Sequence, residues 1–283
     1  MAYFVSSTTD QNYYFEDSIA YTEDHIRVRK LCWCDAPSKL EESTLCSHFA
    51  EFGHVLQIQT VRFEMDASMF QSGSVLYAND KDAARALMST HMLNGVIFMV
   101  QPSDSWEQPD AYGTPEEEVN HQGPSPILAL NDDCLEHIMA KLGLQDRLRF
   151  ARSCLRFRAI LQASASLHTS LDLIQFRRLT VWDIRDYFQL FGAHIQTLIG
   201  DFETEHSERL AEFIRDYCSS LRSIQVICNP QLGLHLHTMI ANKSQLEELQ
   251  LSNSDIDDEA LFDLQDLSFA GGASDYSRSV YNL

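Results

Sequence analysis

The sequence lacks any apolar run that approaches the roughly 18 residues of a membrane helix. Its first residues, MAYFVSSTTD, also lack the basic and apolar segments of a secretory signal. The seven cysteines are an odd number and are scattered through mostly apolar patterns, which favours reduced thiols over a disulfide framework. We therefore expect a protein of the cytoplasm, the nucleus or both, without a membrane partner.

Net positive charge is missing as well. The 283 residues carry a formal charge of −20, whereas a general polyanion binder needs a basic surface. Residues 1–25 hold five acids and no base, and residues 104–126 hold six acids and no base. Residues 26–103, with seven bases against eight acids, and residues 127–163, with six against four, are near neutral or basic. The charge therefore changes in blocks along the chain.

These blocks, together with the prolines of QPSDSWEQPDAYGTPEEEVNHQGPSP, indicate the domain boundaries, because proline interrupts helices and central strands. A chain of this length has room for roughly two or three domains. The composition predicts an acidic flexible tail (1–25), a folded domain (26–103), an acidic Pro/Gly linker (104–126), a helical segment (127–163) and a C-terminal domain (164–283).

Strand and helix patterns alternate in residues 26–103. Strands are predicted at 26–33, 54–63, 72–79 and 95–101, and helices at 39–53 and 81–93. The order βαββαβ predicts a ferredoxin-like domain, in which two helices cover one face of a four-stranded sheet. With this order and the passage LCSHFAEFGHVLQI, the segment resembles an RNA-recognition motif domain.

The resemblance implies RNA binding through aromatic rings that stack on bases. The usual ring positions fall on Arg27, Ser72 and Ser74, and losing the rings costs orders of magnitude in affinity, since each stacked ring contributes about 1–3 kcal/mol. An arginine guanidinium can still stack on a nucleobase, and basic side chains can still contact phosphate. The remaining candidates for RNA contact are Arg27, Arg29, Lys30 and Arg62. The alternative is a sheet face that docks protein or only closes the fold.

The stretch LNDDCLEHIMAKLGLQDRLRFARSCLRFRAI predicts a hairpin of two helices. Asp133 and Glu136 have the spacing of a capping box, Gly143 is a natural stop, and the second helix is predicted to begin near Asp146. The hairpin has more apolar residues than it can bury by itself. One interpretation is a linker hairpin that caps the C-terminal domain.

The same stretch resembles the F-box over about 35 residues, with Leu130, Asp133, Leu135, Ile138, Leu142, Leu148, Cys154, Arg156 and Phe157 at typical positions. Asn131 and Phe157 depart from the common residues. The resemblance implies that a Skp-type adaptor of a cullin-RING ubiquitin ligase covers the apolar residues. The implied adaptor-binding residues are Leu130, Leu135, Ile138, Met139, Leu142, Leu148, Phe150, Leu155 and Phe157. The neighbouring arginines are interpreted as a rim or a solvated face, and they are Arg147, Arg149, Arg152, Arg156 and Arg158.

An apolar pattern at positions one, four and six recurs in the C-terminal domain. It occurs at Leu171, Ile174 and Phe176, at Ile195 and Leu198, at Leu221, Ile224 and Val226, and at Leu246, Leu249 and Leu251. The separations of 24, 26 and 25 residues resemble leucine-rich repeats, although Gly200 interrupts one triplet. A partial final unit is predicted at Leu264, Leu267 and Phe269. The alternative is an irregular α/β domain.

No pattern indicates catalysis or a cofactor. Cys32 and Cys34, or His235 and His237, could share a strand face, but zinc needs four ligands and no second pair has suitable spacing. The sequence therefore predicts a non-catalytic multidomain α+β protein: a ferredoxin-like domain, an F-box hairpin and a short α/β leucine-rich-repeat solenoid. The predicted function is substrate recognition in an SCF-type ubiquitin ligase, and the alternative is an RNA-binding regulator or scaffold.

Overall fold

A computed structural model of the chain describes residues 3–6, 12–37, 40–61, 70–113, 125–201, 206–227 and 230–252. The chain divides into two units, residues 1–122 and residues 123–283. None of the helices in these described ranges combines the length and the apolar character required to cross a bilayer.

The N-terminal unit begins with a three-stranded antiparallel sheet of β1 (Tyr3–Ser6), β2 (Asn12–Glu16) and β3 (Ile19–Thr22). Asp17 and Ser18 form the turn between the last two strands, and both have positive φ, as a tight two-residue hairpin turn requires. Across the hairpin, the rings of Tyr14 and Tyr21 stack 5.4 Å apart. The predicted flexible tail is therefore wrong for these residues, because aromatic residues favour strands whatever the net charge of the segment.

The main sheet follows. Its elements are β4 (Lys30–Pro37), α1 (Glu42–Ala50), β5 (Val55–Val61), β6 (Phe70–Tyr77), α2 (Asp80–Leu87), β7 (His91–Leu93) and β8 (Val96–Pro102). The five strands pair antiparallel in the order β5-β6-β4-β8-β7. Trp33, Phe49 and Tyr77 are among the largest fully buried side chains of this unit's core. The predicted α+β class and the βαββαβ order are confirmed, with β7 as an additional short strand.

The start of the predicted linker belongs to the N-terminal unit. Gln108 is buried, and its side-chain oxygen accepts hydrogen bonds from the backbone N–H groups of Arg29 and Lys30, both at 2.9 Å. Its amide nitrogen donates to the carbonyl oxygens of Lys30 and Ser103. The linker prediction is therefore wrong for residues 104–113, since composition does not reveal a buried glutamine, while residues 114–124 lie outside the described part.

The C-terminal unit starts with three helices and continues as alternating strands and helices. The helices at its start are α3 (Asp132–Met139), α4 (Leu144–Ser153) and α5 (Leu155–Ala163). They are followed by β9 (Ser170–Asp172), α6 (Val181–Phe191), β10 (Thr197–Asp201), α7 (Ser207–Tyr217), β11 (Ser223–Ile227), α8 (Pro230–Ile240) and β12 (Glu248–Ser252). The four strands pair parallel in chain order. Their assignment as leucine-rich repeats stays a prediction.

The strand register shows that the first predicted triplet is assigned to the wrong positions of the repeat. Leu198, Ile224 and Leu249 stand side by side on their strands, and their neighbour on β9 is Leu171, so Ile174 is not the fourth-position residue. Ile174 is 52% exposed, because the chain turns into a 3-10 helix at Leu173–Phe176 directly after β9. The aligned residues are 27, 26 and 25 positions apart.

Gly200 interrupts its triplet for a local reason. Its φ is +109°, and a Cβ placed there would lie 2.6 Å from the Asp172 carboxylate. That carboxylate is already engaged, since it accepts the backbone N–H of Ile174 at 3.0 Å and so caps the 3-10 helix. A side chain at position 200 is excluded by both the backbone conformation and the space. The predicted final unit at Leu264, Leu267 and Phe269 lies outside the described residues.

Candidate functional site

The helical segment has three helices where the sequence predicted two. Cys154 is extended, with φ −156° and ψ 137°, and separates α4 from α5. The break brings Phe150 of α4 onto Phe157 of α5, with ring centroids 4.2 Å apart and planes inclined by 11°. The helical period of residues 144–163 continues through Cys154 almost unchanged, so this aromatic packing is visible only in the tertiary structure.

Asn131 caps the first of these helices. Its side-chain oxygen accepts the backbone N–H of Cys134 at 2.9 Å, which satisfies one of the free donors at the start of α3. The predicted capping role of Asp133 is therefore wrong. Asparagine is among the most favourable N-cap residues, so Asn131, a departure from the common F-box pattern, is explained by the helix start.

Arg156 holds the chain that precedes α3. Its guanidinium donates to the carbonyl oxygens of Leu128 and Leu130, both at 2.7 Å, and to a carboxylate oxygen of Asp132. The planar fork of an arginine suits several acceptors at once, which a lysine would not satisfy. Arg156 therefore positions the partly exposed Leu128 and Leu130 beside α5 and is not a simple solvated rim residue.

The nine predicted adaptor-binding residues separate into three groups. Four are buried inside the unit, namely Leu135, Met139, Leu148 and Phe157. Leu142 and Phe150 are half-buried. The exposed group is Leu130, Ile138 and Leu155, and Leu155 is 85% exposed. A contact surface for a partner is therefore restricted to the last two groups, because fully buried side chains are accessible only after unfolding.

Two exposed apolar residues of this segment were not singled out from the sequence. Leu128 and Leu167 are both solvent-exposed, and Leu167 borders a groove of about 400 Å³. The groove is also lined by Glu136 of α3 and by Arg156, Ala159 and Ile160 of α5. Neither leucine belongs to a long helical stripe, so helical periodicity could not have identified them.

A buried ion-pair network joins α4 to α6. Arg152 contacts Asp183 at 2.8 Å and Asp186 at 2.7 Å, and its guanidinium lies 3.9 Å from the ring centroid of Trp182. Gln145 donates a further hydrogen bond to Asp183 at 2.9 Å. Burial raises the pKa of Asp186, and Arg152 opposes that shift. Arg152 is therefore an internal residue that attaches the helical segment to the C-terminal strands and helices, which corrects its prediction as a rim residue.

On the main sheet of the N-terminal unit, Cys32 and not Arg27 occupies the strand position that aligns with Ser74. Residues 26–28 pair instead with β3, as the hydrogen bonds from the Val28 N–H to the Ala20 oxygen and from the Thr22 N–H to the Ile26 oxygen show. The predicted ring position at Arg27 is wrong because a two-residue alternation does not define where a strand begins. Burial raises the pKa of the Cys32 thiol to about 11, with Asp104 and Glu107 adding to the effect. A neutral thiol and two serines stand at the ring positions.

The basic side chains predicted to contact RNA have partners within the N-terminal unit. Arg27 lies 3.6 Å from Asp80, and Lys30 lies 2.8 Å from Glu107. Arg29 donates through its side chain to the Ala78 carbonyl oxygen. Arg62 lies outside the described residues. Carboxylates beside Arg27 and Lys30 reduce the positive potential that a phosphate would meet, so the RNA-binding prediction gains no support from this face.

Titratable side chains do not assemble into a metal site within the described ranges, where no group of three or more His, Cys, Asp or Glu is placed to hold an ion. One histidine pair of the N-terminal unit is His48 and His91, whose ring nitrogens lie 3.0 Å apart. Burial lowers the pKa of both rings. His91 also contacts the Ala86 carbonyl oxygen at 2.9 Å, so both of its ring nitrogens are engaged in hydrogen bonds inside the unit.

Comparison with known families gives a match over residues 127–168 to the family model described as F-box domain. This helical segment matches the F-box. The resemblance found in the sequence is therefore confirmed, and the F-box segment ends at residue 168, past the predicted boundary at 163. It contains α3, α4 and α5, the Arg156 contacts and the exposed Leu155 and Leu167. Comparison with curated proteins gives no match.

Solved structures similar to the chain include the third RRM domain of Mip6, at 14% identity and a TM-score of 0.24, covering 27% of this chain and 94% of that one. The third RRM of Pes4 is 15% identical with a TM-score of 0.24, covering 27% and 92%. The penultimate RNA recognition motif of the hypothetical RNA-binding protein RBM19 is 22% identical with a TM-score of 0.24, covering 34% and 93%.

Proposed function

We propose that this chain is a substrate-recognition subunit of an SCF-type cullin-RING ubiquitin ligase, in which the F-box segment binds a Skp-type adaptor. The observation that carries the proposal is the match of residues 127–168 to the F-box domain, because F-box domains generally bind such adaptors. In this role the chain is a receptor and contributes no catalytic residue.

The exposed apolar residues of the F-box segment support adaptor binding. Leu130, Ile138 and Leu155 leave apolar surface in contact with water. Covering a fully exposed leucine contributes about 1.5–3 kcal/mol, so Leu155 contributes most and the two residues that are 37% exposed contribute less. Interfaces concentrate their energy in a few residues of this kind. We assign the adaptor contact to these three residues, with Leu142, Phe150, Leu128 and Leu167 at the margins, and we assign Leu135, Met139, Leu148 and Phe157 to the internal core.

The mechanism is proximity. A receptor raises the effective concentration of a substrate lysine near a ubiquitin-loaded enzyme, so the reaction accelerates without a catalytic group in the receptor. The Arg152 network supports this role, because it fixes α4 of the F-box segment against α6 of the substrate-binding part. A receptor joined rigidly at this point would hold its substrate in one orientation relative to the adaptor.

The substrate proposed for residues 164–283 has a basic surface. These residues carry 8 bases and 18 acids, a net charge of −10, and opposite charge favours encounter. Hydrogen bonds from Ser223 and its neighbours lower the pKa of Glu248 on β12, so this exposed carboxylate is ionised. Substrate capture should therefore weaken as salt is raised from 50 to several hundred millimolar, on the order of tenfold. Capture measured by pull-down that is insensitive to salt would contradict the charge argument.

Copurification with a Skp-type adaptor tests the function. The native chain should bind, and Leu155→Asp should weaken binding by at least about 30-fold, because it puts a charge into an apolar contact worth about 2 kcal/mol or more. The control is Leu56→Asp, the same substitution at a leucine that is 55% exposed in the N-terminal unit. This control should bind normally, and circular dichroism should show both variants folded.

Two results would contradict different parts of the proposal. A native chain that does not bind the adaptor would remove the ligase function and would make single-stranded RNA binding by the N-terminal unit the next hypothesis to measure. Normal binding by Leu155→Asp, with a native chain that binds, would leave the function in place and show that the contact surface is elsewhere in the F-box segment.

A further inference from the structure

The chain has few lysines. It contains five, at positions 30, 39, 81, 141 and 243, against sixteen arginines. Residues 164–283 hold eight bases, and Lys243 is the one lysine among them. Lysine and arginine carry the same charge at neutral pH, so charge does not account for the bias. They differ in chemistry, because the lysine amine accepts ubiquitin and the guanidinium does not.

Lys243 is not available for modification. It is 4% exposed, and its amine donates to the carbonyl oxygens of Ile214 and Arg215, both at 2.7 Å. These carbonyls belong to the last turn of α7, where unpaired oxygens and the helix dipole favour a cation. The only lysine of the C-terminal domain therefore has a structural role in the folded protein.

The other described lysines lie elsewhere. Lys141, in the turn between α3 and α4, and Lys81, in the first turn of α2, are exposed. Lys30 is partly buried and bound to Glu107. Lys39 lies outside the described residues. The accessible amines among the described lysines thus belong to the F-box segment and the N-terminal unit, and none belongs to the residues to which substrate binding is assigned.

We propose that ubiquitin transfer from the ligase to this chain itself is confined to Lys141 and the lysines of the N-terminal unit, and that residues 164–283 do not accept ubiquitin. This inference rests on the proposed function. In the transfer, a neutral lysine amine attacks the carbonyl of the ubiquitin thioester. The new C–N bond replaces the C–S bond, and the proton leaves nitrogen as the thiol is released.

The physical reason is effective concentration. Residues around a bound substrate share its proximity to the thioester, so a free lysine there would compete with the substrate lysine for every ubiquitin. Arginine keeps the charge of such a position without the nucleophile. The chain therefore directs ubiquitin to its substrate and is protected from destruction through its substrate-binding part.

The test uses the full chain in a reconstituted ligase with adaptor, cullin–RING subunits, a ubiquitin-loaded conjugating enzyme and mapping of modified lysines by mass spectrometry. Native chain should be modified at Lys141, Lys81 or Lys39 and not at Lys243. Arg178→Lys and Arg222→Lys, at exposed positions of the C-terminal domain, should each increase self-modification several-fold, at the substituted position. The control Arg178→Gln, which removes the charge without adding an amine, should gain nothing.

Ubiquitin on Lys243 of the folded native chain would overturn the inference. So would the absence of any gain in both lysine variants while Lys141, Lys81 or Lys39 is modified in the same reaction. Failure of the proposed function is distinguishable from these outcomes, because a chain that does not bind the adaptor would show neither self-modification nor adaptor copurification, and both proposals would then fall together.

Discussion

Replacing Asp183 with alanine is expected to lower the free energy of unfolding of the C-terminal unit by about 3–5 kcal/mol, the usual cost of removing one partner from a buried ion pair. The Asp183 carboxylate is fully buried and accepts hydrogen bonds from Arg152 and Gln145. Without this carboxylate, the Arg152 guanidinium keeps its ion pair with Asp186 but loses the one with Asp183, and Gln145 loses an acceptor. The loss arises because Arg152 and Gln145 are each left with one acceptor fewer in a largely buried place.

Urea unfolding of the full chain measures this loss, and Glu247→Ala is the matched control. Glu247 also pairs with an arginine, Arg222 at 3.2 Å, but both side chains are mostly exposed. Water screens such a pair, so the control should lose less than about 1 kcal/mol. Equal losses in the two variants would show that Asp183 does not belong to a network that stabilises the joint between the F-box segment and α6.

Truncation of Leu135 and of Leu155 to alanine should give opposite results within one small segment. Leu135→Ala should cost about 2–5 kcal/mol of stability, because it leaves a cavity in the core between the helices. Leu155→Ala should change stability by less than about 0.5 kcal/mol, since that side chain is largely in water. The same Leu155→Ala change should weaken adaptor binding by about tenfold.

Thermal or urea unfolding and an adaptor titration on both variants give the four numbers required. A stability loss for Leu155→Ala as large as that for Leu135→Ala would mean that Leu155 packs inside the protein and would remove it from the proposed contact surface. The comparison has a practical consequence as well. Substitutions at Leu135 are unsuitable for mapping the adaptor interface, because lost binding would then report unfolding.

Local patterns predicted the secondary structure of the N-terminal unit well and its boundaries less well. The βαββαβ order is clear because each element has its own period of apolar residues. The strand start is not clear, because residues 26–28 alternate like the strand but pair with β3. That error moved the predicted ring position from Cys32 to Arg27. The small N-terminal sheet differs from the predicted tail because its aromatic residues favour strands in spite of the net acidity of residues 1–25.

In the F-box segment the sequence predicted the family and most of the apolar residues, but not which of them are accessible. Helical spacing places Leu135 and Ile138 on one broad stripe, yet the first is buried and the second is exposed. The difference depends on where α5 packs, and that depends on the extended Cys154 and the Phe150–Phe157 contact. Periodicity along one helix contains no information about its neighbour.

The sequence by itself determined the domain order, the α+β character, the F-box resemblance and the scarcity of lysine, since these depend on residue identity and local spacing. Tertiary structure alone decided that Arg152 and Asp183 form a buried pair, that Arg156 holds Leu128 and Leu130, and that Lys243 caps α7. The partners in these contacts are 26 to 31 positions apart in the chain. These charged side chains become internal only because folding brings together partners that are far apart in the sequence. A local sequence pattern contains no information about such a contact.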